Sequence, residues 1–183
     1  MTAEGKSRRE PADCVDRTPE PSPVPDLSKL RQVALRQLAR REQSRRELEL
    51  RLAREDAPAE LVRELLDDLA ARGLQSDVRF AEALLRSRVH RGQGAVRIRQ
   101  ELVQRGVAAE VIDAAFAEAA IDWRQRAAEI CREKYGRGGA MDWAERARRA
   151  RFLNYRGFDA DIIRAVLAPA GAGVSPGDEG EVS

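Results

Sequence analysis

The chain has 183 residues, 43% hydrophobic, 35% charged and only 4% aromatic, a composition suited to helices with a narrow apolar stripe and a wide wet surface. No apolar run approaches the roughly 20 residues that cross a bilayer, the polar start Met1–Arg9 lacks the apolar stretch of a secretion signal, and two distant cysteines, Cys14 and Cys131, make neither a disulfide framework nor a zinc cluster. The net charge of +2 hides a segregation: residues 1–26 hold six acids and four bases, residues 169–183 three acids and no base, so with tails at −2 and −3 the body carries +7.

A basic body favours nucleic acid or an acidic protein surface as partner. The expected compartment is the reducing cytoplasm, with no membrane contact.

Residues 1–27 contain Pro11, Pro19, Pro21, Pro23 and Pro25 and almost no large apolar side chains, which predicts a disordered acidic arm. From there the apolar spacing is helical. Residues 28–74 form a first unit of three predicted helices: Ser28 to about Arg41, Ser44 to about Arg54, and Pro58 to Arg72, closed by Gly73. Ser44 with Glu47 fits a capping box, and Pro58 suits a first helical turn. Leu61, Val62, Leu65, Leu66 and Leu69 share one face of the third helix.

Residues 75–121 repeat the pattern, with helices expected over about Ser76–His90, Gly94–Arg105 and Ala108–Ala120. Residues 122–168 do so again, over Asp122–Tyr135, Asp142–Arg156 and Asp159–Leu167, with a linker at Gly136–Gly139. Residues 169–183, rich in glycine and acid, predict a second disordered tail.

The three units are copies. Adding fifty takes Leu48 to Ile98, Leu52 to Leu102, Ala57 to Val107, Leu61 to Val111 and Val62 to Ile112; adding fifty-one takes Arg105-Gly106-Val107 to Arg156-Gly157-Phe158. Self-similarity at a fixed period marks a stacked array. The expected fold is all-α: about three tandem three-helix repeats in an elongated, curved array. Such arrays usually hold a partner, and a monomer is expected.

Ten arginines are the candidate contact residues. Arg36, Arg40, Arg41, Arg45 and Arg46 crowd the end of one predicted helix and the start of the next, with Arg36 and Arg40 four apart on one face. Arg86, Arg88, Arg91, Arg97 and Arg99 form the corresponding group of the second unit. A guanidinium engages carboxylate or phosphate through two hydrogen bonds. A solvated face is the competing reading. Trp123, Trp143, Tyr135 and Tyr155 lie at helix ends, where packing between helices outweighs base stacking.

Enzymatic readings find little support. His90 is the one histidine; Asp67 and Asp68 are adjacent and point about 100° apart on a helix; and Gly92-Gln93-Gly94 lacks the lysine and hydroxyl of a phosphate loop. No catalytic residue, cofactor or metal ligand is assigned.

Leu38-Ala39-Arg40-Arg41-Glu42-Gln43-Ser44 followed by Glu47-Leu48 resembles the first signature of the RecX family, bacterial regulators of the RecA recombinase. Asp77-Val78-Arg79-Phe80-Ala81 resembles the second, and Gly94 to Gly106, with Ile98, Glu101-Leu102 and Arg105-Gly106, the third. The likeness runs from about Leu30 to Leu167. Gln43 departs from a frequent tyrosine, and Gln75-Ser76 from the usual approach to the second signature.

The resemblance implies a non-catalytic modulator that lies along the groove of the RecA–DNA filament, with single- or double-stranded DNA as a further contact. Family members limit filament growth and reduce RecA's ATP hydrolysis, strand exchange and co-protease activity, so the implied field is recombination, DNA repair and the SOS response. A helical-repeat nucleic-acid binder independent of RecA is the alternative.

Overall fold

The computed structural model describes residues 26–136 and 141–168. Among them are nine α-helices and no strand: α1 Leu27–Leu38, α2 Arg45–Leu52, α3 Ala59–Ala71, α4 Asp77–His90, α5 Ala95–Gln104, α6 Ala109–Ala119, α7 Trp123–Tyr135, α8 Trp143–Arg156 and α9 Ala160–Leu167. Residues 1–25 of the expected arm, the expected tail, and residues 137–139 of the expected linker lie outside the described residues; Asp26 and Leu27, placed in the arm by the sequence, cap and begin α1.

Local signals set most of the boundaries. The Ser44 hydroxyl accepts the Glu47 N–H while the Glu47 carboxylate accepts the Ser44 N–H, closing the capping box. Ser76, Asp122, Asp142 and Asp159 cap α4, α7, α8 and α9 with their side-chain oxygens, each stabilising its helix by about 1 kcal/mol. Pro58 stands one step earlier than expected, at the N-cap of α3.

One boundary differs materially. The first helix ends at Leu38 rather than at the expected Arg41. The backbone N–H groups of Arg40 and Arg41 both turn back to the Gln37 carbonyl, and the chain leaves the helix to bury Gln43 and Ser44 where the first unit meets the second. Arg40 is therefore outside the helix, and Arg36 and Arg40 do not share a helical face.

Each unit has its own core. Leu30, Leu48, Leu52, Leu65 and Leu66 centre the first, Phe80, Leu85, Ile98, Leu102 and Ile112 the second, and Ala127, Ile130, Leu153, Phe158 and Ile163 the third. Burying one such aliphatic side chain stabilises by about 1.5–3 kcal/mol. The extensive helix pairings all fall within a unit, as in a quasi-one-dimensional array.

Trp123 joins two cores, stacked on Phe116 at 5.8 Å and edge-on to Phe158 at 6.5 Å. At the position of Leu48 and Ile98 the third unit has Arg149, which is buried, bonded to Glu145 at 2.8 Å and set over the Tyr135 ring.

Candidate functional site

The second helices of the units lie head to tail. At the first seam the Ser44 hydroxyl, already accepting the Glu47 N–H, donates to the Arg105 carbonyl at 2.7 Å, so the start of α2 sits on the end of α5. At the second seam the Gly94 N–H donates to the Arg156 carbonyl at 2.8 Å and the Val96 N–H to the Gly157 carbonyl at 3.0 Å, so the start of α5 sits on the end of α8. Positive helix ends thus meet negative ones along α8, α5 and α2.

Glycine is required at these joints for two reasons. Gly106 and Gly157 have φ of +76° and +86°, and a Cβ would stand 2.7 Å from the Arg46 Cβ in one case and 2.3 Å from the Arg97 Cβ in the other. The equivalent position of the first unit is Asp56, exposed and left-handed at φ 52°. Nothing approaches it closely enough to exclude a side chain.

Side chains lock the first seam. Arg45 N–H and the Gln75 amide both donate to Asp77 at 2.8 Å, Gln75 also reaches the Gln43 carbonyl, and Arg79 bonds Glu42 at 2.9 Å. Of the residues at which the sequence departs from the signatures, Gln43 and Gln75 are both buried and meet here.

Along this line run two grooves. The first, about 550 Å³, lies between α1 and α2 and is lined by Gln37, Arg40, Arg41, Glu47, Leu50, Arg51 and Arg54. The second, about 810 Å³, is lined by Arg88, Arg97, Gln100, Glu101, Arg105 and Tyr155 among others. An alternating chain of charge connects them: Arg41 to Glu47 at 3.1 Å, Glu47 to Arg105, Arg105 to Glu101 at 2.9 Å, and Glu101 to Arg88 at 2.6 Å.

These ion pairs shift the carboxyls. The Arg88 hydrogen bond leads in holding Glu101 below the usual range, with Arg88 and Arg105 charges outweighing partial burial. For Glu47 burial is the largest single influence and opposes ionisation; the Arg41 hydrogen bond, the Ser44 N–H and the Arg41 and Arg105 charges together overcome it, and its pKa is also lowered. A depressed carboxyl contributes stability that is present above its unfolded pKa, about 4.3 for Glu, and is lost as pH falls through the lower folded value. Acid unfolding of the chain is expected to steepen below about pH 4.3. In urea melts at pH 3 and pH 7, E47Q/E101Q should lose less stability between the two than the parent; an equal loss would remove this junction as the acid-sensitive element.

The ten candidate arginines do not share one environment. Arg40, Arg41, Arg88 and Arg97 line the two grooves; Arg36, Arg91 and Arg99 line neither. Arg45 is held by Glu49 and Asp67, Arg46 by Glu49, and Arg99 by Asp113 while lying over the Phe116 ring at 4.2 Å. Arg86, 3.9 Å from Glu82, borders a separate cleft between α4 and α6. Among the described residues, Arg36, Arg40, Arg91 and Arg97 have no acidic partner; Arg97 bonds the Tyr155 carbonyl instead and lies over its ring.

Three groove residues escape the sequence reading: Arg51, Arg54 and Arg105. Arg51 has Glu47 and Glu55 four residues to either side, which reads as a satisfied helical charge, yet Glu47 is taken by Arg41 and Arg105 and Glu55 by Lys29. Arg54 has no acid at helical spacing, a signal that the sequence does carry.

Of the aromatics at helix ends, Trp123 and Tyr135 pack in cores, the latter against Phe152 at 5.6 Å. Tyr155 is 75% and Trp143 84% exposed. His90 is exposed, and no cluster of potential metal ligands occurs among the described residues. No helix there is long and apolar enough to cross a membrane.

Comparison with known proteins agrees with this architecture. The family model described as the second three-helix domain of RecX matches residues 76–116, and that of the third three-helix domain residues 122–167. A protein of Halorhodospira halophila named regulatory protein RecX is 47% identical over 141 residues, covering 77% of this chain and 88% of its own length. One of the same name from Pseudomonas savastanoi pv. phaseolicola is 41% identical, covering 78% and 92%. The crystal structure of RecX from Lactobacillus salivarius superposes with a TM-score of 0.67 at 20% identity, covering 77% of this chain and 94% of that one, a likeness of fold.

Proposed function

The chain belongs to the RecX family of regulatory proteins, and from that premise we propose that it regulates by binding, laying its two-groove face on the RecA–DNA filament and restraining the recombinase. It acts without chemistry of its own, in the cytoplasm and as a monomer. The observation that carries this reading is the convergence of Arg40, Arg51 and Arg54, without acidic partners among the described residues, on a groove in line with a second one. A filament presents the same surface at every protomer, and an array built on a repeated unit meets a repeated partner at more than one place. Each added contact then forms at high effective concentration, and the affinities multiply.

Substoichiometric protein is expected to slow RecA's DNA-dependent ATP hydrolysis and its strand exchange. Unchanged rates at saturating protein would refute the proposal. Pull-down with RecA in the absence of DNA separates it from a nucleic-acid binder that needs no recombinase: that alternative gives no RecA capture and loses oligonucleotide affinity steeply with salt.

A further inference from the structure

The first groove has a feature that partner binding does not use: the described chain begins near one end of it, at Asp26. Lys29, in the first turn of α1, pairs with Glu55 at 3.5 Å, which sets the start of α1 beside the residue that follows Arg54, a residue of the groove lining. Upstream lie Glu10, Asp13, Asp16 and Glu20 with Arg17 the one base among them, a net charge of −3 between residues 10 and 20. The groove offers Arg40, Arg51 and Arg54 without acidic partners among the described residues. Opposite charges of equal number thus belong to one chain and are separated by a short spacer.

We propose that the acidic segment Glu10–Glu20 docks in the Arg40–Arg51–Arg54 groove and competes there with the external partner. Its reach is sufficient: at the roughly 3.1 Å per residue of a fully extended proline-rich stretch, the five residues Pro21–Pro25 can span up to roughly 16 Å, whereas the eight residues of α2 cover about 12 Å. A spacer of that length lets the acids reach along the groove as well as its mouth. Tethering places the segment at an effective concentration on the order of millimolar, so interactions too weak to hold a free peptide still occupy the groove for much of the time. A partner that engages at many points displaces it. The segment therefore raises the threshold for engagement and discriminates against ligands that offer only a few negative charges. The inference goes beyond the proposed function and does not depend on the partner being RecA.

Cys14 lies inside the acidic segment, while Cys131 is buried at 4% exposure, so a nitroxide reagent placed on the native, full-length chain labels the segment selectively. The label is expected to broaden the amide resonances of Gln37–Arg41 and Leu50–Arg54, and the broadening should vanish in R40Q/R51Q/R54Q with an unchanged circular dichroism spectrum. Absent broadening, or broadening centred on another face, overturns the proposal. In a second measurement, E10Q/D13N/D16N/E20Q should bind inorganic polyphosphate about three- to ten-fold more tightly than the parent, because the tethered competitor is gone. Neutralising Asp178, Glu179 and Glu181 in the far tail should change that affinity less. Equal affinity of mutant and parent, or an equal gain from the far tail, overturns it as well.

Discussion

Gly157→Ala is expected to cost about 3–5 kcal/mol of stability, the range reached when backbone strain and a broken hydrogen-bond network combine, and to release the third unit from the second. A left-handed backbone alone accounts for about 1 kcal/mol of that in a non-glycine residue. The remainder comes from position. The added methyl would stand 2.3 Å from the Arg97 Cβ and 2.8 Å from the Arg97 backbone nitrogen, and a backbone atom does not swing aside as a long side chain does. The end of α8 must retreat from the start of α5, stretching the bonds from Gly94 to Arg156 and from Val96 to Gly157, each contributing about 1 kcal/mol.

Gly73→Ala is the matched control. Gly73 has φ +67°, also follows a helix, and has nothing within 4 Å of where its Cβ would be. It should show the conformational cost without the seam. Native-state hydrogen exchange should report faster opening of α7, α8 and α9 in the Gly157 variant, with the first unit unaffected. Equal destabilisation by the two substitutions would mean that the seam contributes nothing beyond backbone strain.

The helices α1 to α9 are legible in the sequence because their determinants are local. The Ser44–Glu47 box spans four residues, and the apolar positions recur at helical spacing in each unit. The fifty-residue register also places the cores, since Leu48 and Ile98 are both fully buried. That register fails informatively at Arg149, where the third unit fills an aliphatic slot with a guanidinium held by Glu145 and Tyr135.

The end of α1 is not legible, for a non-local reason. Gln43 and Ser44 are buried against Gln75 and Arg105, 32 and 61 residues away, and that demand overrides the helical spacing of Arg36, Arg40 and Arg41. The groove is half legible for the same reason. Arginine density points to Arg40 and Arg41, whereas the freedom of Arg51 arises because the two acids that helical spacing would assign to it are engaged elsewhere, Glu47 by Arg41 and by Arg105, 58 residues away, and Glu55 by Lys29. Pairwise charge counting along a sequence cannot reveal such a competition; packing decides it.

That competition separates arginines that hold the protein together from arginines available to a partner, and the separation predicts the second large effect. R40Q/R51Q/R54Q should weaken binding to the RecA filament by roughly 100-fold, taking about 1 kcal/mol for each charge-assisted hydrogen bond removed, while leaving the melting temperature nearly unchanged because exposed charges contribute little to stability. Arg45 and Arg46 are as dense in the sequence, but their guanidiniums are engaged by Glu49 and, for Arg45, Asp67. A ligand would have to break those pairs before gaining anything, and R45Q/R46Q should change affinity by less than about three-fold. Arg88→Gln and Arg105→Gln should reverse the pattern: weaker stability at the junction of the first two units, because Glu101 and Glu47 are left partly buried beside fewer cations, and a change in affinity that follows from it. Filament co-sedimentation across a salt series, run beside urea melts of the same proteins, reads both quantities. If the first triple variant binds like the parent while R45Q/R46Q does not, the binding surface lies on the opposite side of α2, away from the line of grooves.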